Sequence, residues 1–410
     1  MPRTINRPIM RLTHLSLTDF RNFTRLDMDV PPGALLLTGS NAQGKTSLLE
    51  AIYYLATFVS FHADSDRQLI NFLAGRASLA VARIVGDFER AGVSHRLEVR
   101  LIQDAANAGG PSMRKEVLLD GARRKTSETV GQFNAVLFLP QSTRVIEGTP
   151  DERRRYLNLT LSQVIGAYPP ALTDYTRTLT QRNALLKQLG ERGGDPAQLD
   201  FWDQMLTTAG ARLIQARIKA VQEIECLAAR LHLDLSHGAE VLRLSYQPSY
   251  DPFPQPQGQI ALPLDAPIDR SSIPLEQIRQ GFLDRLLQRR REEITRGVTT
   301  TGPHRDELRF FANGIDLGTY GSRGQIRTAI LALKLAEVAW MKEKTGHWPV
   351  LLLDEVLAEL DAQRRGDLLA RLSGGQQCLL TTTDLDLFAP EFIEKSAHWN
   401  VNAGRVEKMG

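Results

Sequence analysis

Two short motifs at opposite ends of the chain constrain its fold more than anything else in it. Gly39-Ser40-Asn41-Ala42-Gln43-Gly44-Lys45-Thr46 fits the pattern G-x-x-x-x-G-K-[ST]. Glycines so placed let backbone N–H groups curl around phosphate oxygens, and a following helix points its positive end at them. In such a loop Lys45 reaches the β- and γ-phosphates and the Thr46 hydroxyl holds Mg²⁺. The apolar run Ala34-Leu35-Leu36-Leu37-Thr38 before the loop reads as a buried strand, and Leu48-Leu49-Glu50-Ala51-Ile52 after it reads as a helix. The plain alternative is a glycine-rich turn before a helix. A chance match to the whole pattern somewhere in the chain is on the order of 1% at average residue frequencies.

A phosphate loop needs a carboxylate at a strand end. Val350-Leu351-Leu352-Leu353-Asp354-Glu355 supplies it. Asp354 is expected to bind Mg²⁺ through water, and Glu355 to polarise the attacking water. An apolar strand ending in an acid is common, so this motif takes its weight from the first. Asp361, in Ala358-Glu359-Leu360-Asp361, follows at the spacing of a partner-contacting aspartate. A compact nucleotide fold does not need the long span from Lys45 to Asp354. The middle of the chain is therefore expected to be an insertion that leaves the nucleotide-binding head and returns to it.

Composition narrows the class. The 410 residues carry 50 Lys and Arg against 47 Asp and Glu, a formal charge of +3. That near balance excludes a basic tail held to nucleic acid by bulk charge, and an acidic disordered chain. Two distant cysteines, Cys226 and Cys378, exclude a disulfide framework and imply a reducing, cytoplasmic setting. No apolar run approaches a membrane span, so no membrane is expected. Residues 1–9 are polar and basic without the apolar stretch of a signal peptide, and are read as a flexible extension.

The texture of the chain changes twice. From Leu12 to Lys125 it alternates like antiparallel strands, with Asp120-Gly121 as a hairpin turn. After about Pro150, Leu172, Tyr175, Leu179, Leu186 and Leu189 fall at helical spacing. Gly190 with Arg192-Gly193-Gly194-Asp195-Pro196 forms a breaker, and a second helical run continues to about Leu231. This pattern predicts two antiparallel helices packed as a hairpin. Seven of the chain's prolines crowd residues 248–274, which are read as an irregular loop. Strand texture returns at Leu308 with an Asn313-Gly314 turn.

Two segments compete as a second nucleotide-contacting motif. Leu372-Ser373-Gly374-Gly375-Gln376 matches the signature of ABC-type ATPases letter for letter, but runs into strand-like Cys378-Leu379-Leu380-Thr381. A signature must cap a helix, so that its serine and N–H groups face the γ-phosphate of an opposing subunit. Gly321-Ser322-Arg323-Gly324-Gln325 precedes a helix-like run and offers Ser322 as a natural N-cap. It is the preferred candidate.

With these residues assembled, the sequence resembles the RecF family of bacterial DNA-repair ATPases, of the ABC/SMC class. The resemblance covers nearly the whole chain from Met10. It rests on Asp19-Phe20-Arg21-Asn22-Phe23, on the phosphate loop and its helix, on Glu152-Arg153-Arg154-Arg155-Tyr156-Leu157, on Thr301-Gly302-Pro303-His304-Arg305-Asp306, on the Ser322 segment and on the Asp354 region. It implies an α/β (mixed) P-loop ABC-type ATPase head, residues 10–150 and 295–410, carrying an inserted, mainly helical arm, residues 151–294. It implies ATP and Mg²⁺ as cofactors. Residues 39–46, Arg21 and Asn22 would bind nucleotide, Ser322, Gly324, Gln325 and Asp361 would contact it across a dimer, and Lys45, Asp354 and Glu355 would be catalytic. It further implies an ATP-dependent homodimer that clamps single-strand/double-strand DNA junctions, partnership with RecR and RecO in loading RecA at gaps, slow ATP hydrolysis, and a nucleoid-associated location.

Some positions depart from the family pattern. Gln141 stands where an acidic residue is usual, and resembles the Mg²⁺-reaching glutamine of other ABC ATPases. His62 replaces an arginine near the end of the first helix, and Asn158 a common aspartate. The switch strand Thr381-Thr382-Thr383-Asp384 lacks a histidine, against a transporter subunit. The short remainder after Asp354 leaves no room for the acidic metal cluster of an OLD-type nuclease. Even with half the insertion in one helix, the arm would reach only ~130 Å, shorter than the coiled coils of SMC proteins. Arg123-Arg124-Lys125, Arg153-Arg154-Arg155 and Arg289-Arg290-Arg291 are candidate DNA contacts or, equally, solvated or ion-paired faces.

Overall fold

A computed structural model describes residues 10–104, 112–252, 270, 272–372 and 376–409. The expected extension 1–9, most of the proline-rich loop and Ser373-Gly374-Gly375 of the rejected signature lie outside them. The strands are, in chain order, β1 Met10–Phe20, β2 Phe23–Asp29, β3 Ala34–Thr38, β4 Leu79–Arg90, β5 Val93–Asp104, β6 Ser112–Leu119, β7 Ala122–Arg124, β8 Ala135–Phe138, β9 Leu242–Gln247, β10 Glu307–Ala312, β11 Ile315–Asp316, β12 Val350–Asp354, β13 Cys378–Thr382, β14 Ala397–Asn402 and β15 Arg405–Lys408. The longer helices are α1 Lys45–Thr57, α2 Pro150–Ser162, α3 Tyr168–Arg192, α4 Leu199–Leu235, α5 Leu275–Arg296, α6 Arg323–Thr345 and α7 Ala362–Leu372. Among the described residues, no helix is long and apolar enough to cross a membrane.

The chain divides into two compact units, Met1–Ser142 with Glu337–Gly410, and Thr143–Ala336. The expected division is a head of residues 10–150 and 295–410 around an arm of residues 151–294; in the compact units, residues 295–336 are grouped with those of the arm. The reason is pairing: β9 runs antiparallel to β10 over six residues, from Leu242↔Ala312 to Gln247↔Glu307, and ties residues beyond 295 to the inserted unit.

The first unit holds two six-stranded sheets. One is antiparallel, in the order β2-β1-β4-β5-β6-β7, and the other runs β15-β14-β3-β13-β12-β8. In the second, β14, β3, β13, β12 and β8 are parallel neighbours. The inner parallel strands β3, β12 and β13 are mostly apolar, as strands covered on both faces must be. Helix α1 packs on strands of both sheets, which is why Leu48, Leu49, Ile52, Tyr54 and Leu55 are all buried, with no polar face left. Glu50 is buried in the same helix. A lone carboxylate there would be costly, and a bidentate pair with Arg21, 2.7 Å on both bonds, offsets it.

The second unit is built on the predicted helical hairpin of α3 and α4, with α5 packed against both and the sheet β11-β10-β9 beside α4. Helix α4 has 37 residues and so spans about 55 Å, well inside the length expected of the arm. The break falls at Gly193 and Gly194, both at positive φ, and not at Gly190, which is inside α3. A side chain at Gly190 would bring a Cβ within 2.5 Å of the Ile294 carbonyl, so this glycine lets α3 and α5 approach closely.

Buried charge organises this unit. The Arg182 guanidinium meets Asp203 and Glu293 at 2.7 Å each, all three fully buried. Arg217 reaches Asp306 at 3.0 Å, the Pro303 carbonyl at 2.6 Å, and the Tyr168 hydroxyl and Asn158 at 3.0 Å. The run Thr301-Gly302-Pro303-His304-Arg305-Asp306, the most family-specific stretch of the sequence, thus receives a buried arginine in the core of this unit. Asn158 keeps an acceptor where aspartate is common. One arginine of each of two basic clusters is engaged in the same way. Arg153 grips Glu307 at 2.5 and 2.9 Å, and Arg290 meets Asp200 and Asp203 at 2.6 Å.

Candidate nucleotide site

Parallel pairing brings the two ends of the sequence together. Strand β13 lies between β3 and β12, so Thr381 is registered with Leu37 on one side and Asp354 on the other. The loop after β3 and the carboxylate after β12 therefore open at the same sheet edge, where ligands of open α/β sheets bind.

The loop itself is held from several sides. Gly39 has φ 144° and Gly44 has φ 117°, conformations closed to ordinary side chains. A Cβ on Gly44 would also meet the Asn22 amide at 2.6 Å. Asn22 donates to the Gln43 carbonyl at 2.9 Å, and Ala403 N–H donates to the Gln43 side chain at 2.7 Å. Helix α1 starts at Gly44 with no side-chain cap and no acid in its first turn, which leaves its first N–H groups available to an anion.

The charged groups converge beside it. Lys45 Nζ, almost completely buried, donates to the Gly39 and Ser40 carbonyls at 2.6 and 3.1 Å and lies 3.4 Å from Glu355 Oε1. The Thr46 hydroxyl is 3.0 Å from both Asp354 oxygens. Thr381 donates to Asp354 at 2.7 Å and accepts the Glu355 N–H at 3.0 Å. Burial raises the pKa of Asp354, against the opposing pull of the two hydroxyl bonds. A buried carboxylate in contact with a hydroxyl is a hard oxygen pair that fits Mg²⁺ completed by water and nucleotide oxygens. Among the described residues no cluster of His, Cys, Asp and Glu could hold a metal by itself. Glu355 has φ 51°, a left-handed conformation that costs roughly 1 kcal/mol or more and that the Thr381 bond helps to hold.

Lys45, Thr46 and Glu355 line a cavity of about 690 Å³, together with the apolar side chains of Ile70, Phe72 and Leu73. Phe72 and Leu73 are 73% and 71% exposed, an unusual state for large apolar side chains. Their loop is not loose. Asn71 bonds Asp19 and Arg21 through main chain and amide, and caps the Leu73 N–H. Nothing in the sequence singles out this apolar rim, because it forms only where residues 66–73 fold against the β1–β2 turn.

The remaining expected residues fall into three places. Arg21 and Asn22 line the cavity, but Arg21 spends its guanidinium on Glu50, and Asn22 braces the loop. Gln141 is exposed on the turn Pro140–Thr143, and Asp361 is exposed at the start of α7; neither lines the cavity. Asp361 accepts the Arg364 N–H and pairs with its guanidinium, which hold its carboxyl below the usual range. Ser322, Gly324 and Gln325 belong to the other unit. There Ser322 Oγ accepts the Gln325 N–H at 3.2 Å, and Gln325 Oε1 accepts the Ser322 N–H at 2.9 Å, a reciprocal cap on α6. Glu240 accepts from Gln325 Nε2 at 2.7 Å and fixes its amide, a link the sequence does not announce. Leu372 of the rejected segment ends α7, and Cys378 starts β13, so no helix follows it.

Comparison with known proteins shows the family and the fold. The family model described as RecF/RecN/SMC N terminal domain matches residues 11–391. The chain is similar to the DNA replication and repair protein RecF of Roseiflexus castenholzii, 41% identical over 97% of this chain and 99% of that one. It is similar to that of Chloroflexus aurantiacus at 42%, with the same coverage. Among solved structures, it matches one described as the recombination mediator protein RecF-ATP in the RecFOR pathway, with TM-score 0.84, 28% identity and full coverage of both chains. An Smc head domain from Pyrococcus furiosus matches at TM-score 0.51 and 15% identity, a likeness of fold alone.

Proposed function

This chain belongs to the RecF family and has the ABC-type ATPase fold, and from that footing we propose that it is an ATP-gated DNA clamp of recombinational repair. The observation that carries the reading is the meeting of Lys45, Thr46 and Glu355, with Asp354 bonded to Thr46, at a cavity that Ile70, Phe72 and Leu73 also line. That mixed lining matches ATP, with phosphates at the loop and the purine on the exposed ring of Phe72.

The chemistry follows from the residues. Lys45 exchanges loop carbonyls for β- and γ-phosphate oxygens, and the N–H groups of α1 take up the rest of the phosphate charge. Thr46 and Asp354 would hold Mg²⁺, which when bound neutralises charge developing on the transferred phosphoryl group. Glu355, its main-chain N–H held by Thr381, orients and polarises the attacking water. Gln141 is left a lesser candidate for this work, since it does not line the cavity. Without a switch histidine one γ-phosphate contact is absent, so turnover is slow.

Two copies close head to head, with Ser322, Gly324 and Gln325 of each completing the other's site and Asp361 at the seam. ATP favours the closed state through contacts the open state lacks. The closed pair holds DNA at single-strand/double-strand junctions and, with RecO and RecR, promotes RecA loading at gaps in the cytosol. The test uses two variants. Lys45→Met should lose at least 100-fold in ATP affinity and all ATP-driven dimerisation. Ser322→Arg should bind ATP normally yet sediment as a monomer. An ATP-dependent dimer in either variant overturns the reading.

A further inference from the structure

On the antiparallel sheet of the first unit, two carboxylates each hold two guanidiniums. Glu98 receives Arg83 through Nε and Nη2 at 2.8 and 2.9 Å, and Arg100 at 2.6 Å. Glu116 meets Arg123 at 3.3 Å and Arg114 at 3.5 Å. Strand register explains the cluster: Arg83 lies opposite Arg100, and Arg100 opposite Glu116, so β4, β5 and β6 carry one row of charge. Neighbouring strands are about 4.8 Å apart, so these groups crowd together.

The order of the layers is informative. The carboxylate side chains are only 10% and 14% exposed, whereas the four arginine side chains range from 36% to 67%. Four cations stand over two sunken anions. An approaching molecule meets guanidiniums first, already oriented, with N–H donors such as Arg83 Nη1 not engaged by Glu98. Arg83 facing Arg100 is a like-charge pair that costs sheet stability on its own, so stability alone does not account for it. The pairing with Arg83 and Arg100 holds Glu98 at about 2 despite partial burial, so the lower layer stays charged and the arginines stay ordered. The other end of the sheet differs in sign, with Asp27 and Asp29 gathered around His14.

We propose that Arg83, Arg100, Arg114 and Arg123 form a docking surface for the phosphodiester backbone of duplex DNA. The assignment rests on the DNA-clamp reading and deepens it by naming the face. Ordered guanidiniums on a flat sheet fit phosphates, and no side chain of the cluster offers base-reading specificity, so binding is expected to be independent of sequence.

The test is duplex binding by fluorescence anisotropy, with ATP and Mg²⁺, across a salt series. The variant is Arg100→Gln with Arg123→Gln, which leaves each carboxylate one guanidinium partner. Loss of about one phosphate contact per arginine lowers the slope of log affinity against log salt by about 2, and affinity falls roughly tenfold or more. Lys395→Gln, the same charge change at an exposed position outside this sheet, should leave the slope as in the parent protein. The corresponding double Lys variant should restore most of it. ATP affinity stays unchanged throughout, and circular dichroism shows each variant folded. A parent protein that binds DNA and a Gln variant with the same slope would overturn the assignment, and so would weaker binding at unchanged slope, the mark of an indirect effect. A parent protein that binds no DNA in the presence of ATP overturns the DNA reading and this surface with it.

Discussion

Buried charge is handled differently in the two units. At the cavity of the first, Lys45 rests on two carbonyls and Asp354 on two hydroxyls, partners that phosphate oxygens and a cation can replace. In the second, Arg182 and Arg217 are almost wholly buried and locked by carboxylates on several elements. The same residue types thus do opposite jobs. Weakly committed partners leave electrostatic potential available to a ligand, while strongly committed ones spend it on fixing one packing.

The sharpest way to break this contrast is Arg217→Met. It leaves Asp306 buried without its cation and Asn158 with only the Tyr168 hydroxyl as donor, so the second unit should lose about 3–5 kcal/mol of stability. Denaturant unfolding measures it. Lys45→Met, which abolishes nucleotide binding, should move unfolding by less than about 1 kcal/mol. Equal losses in the two variants would dissolve the distinction. Thr381→Val should have a smaller effect, confined to the cavity. Asp354 loses a donor and the Glu355 N–H an acceptor, so steady-state ATP turnover falls roughly tenfold while ATP affinity stays within about threefold.

The smallest effect is one of pH. Burial lowers the pKa of His304 in the second unit and of His347 in the first to about 4. Both rings are neutral in the folded chain and take up a proton near pH 6.5 once unfolded. The unfolded chain then binds more protons, so stability is full above pH 6.5 and is lost as pH falls toward 4. Thermal midpoints should drop by about 2–4 °C for each kcal/mol lost. His304→Gln should flatten the dependence for the second unit; a midpoint that rises on acidification would refute the assignment.

Much of this was readable beforehand. The hairpin turns at Asp120-Gly121 and Asn313-Gly314 both adopt positive φ, as those dipeptides demand. The helical hairpin followed from periodicity, and the cap on α6 from Ser322. The grouping of residues 295–336 with the arm did not follow, because β9 and β10 are distant in sequence and their pairing leaves no local mark. The basic clusters left two readings open for a related reason: a run of arginines shows charge but not the acid waiting across the fold, as Glu307 waits for Arg153.

By itself the sequence determined the phosphate loop, the carboxylate that answers it, and the need for an insertion between them, since glycine geometry, helix ends and hydrophobic period act over a few residues. Only the tertiary structure decided that Thr381 braces Asp354, that Phe72 and Leu73 rim the cavity, that Glu240 fixes Gln325, and which arginines remain open to solvent. Those outcomes depend on strand order and register, which join residues hundreds of positions apart through packing that no local pattern encodes.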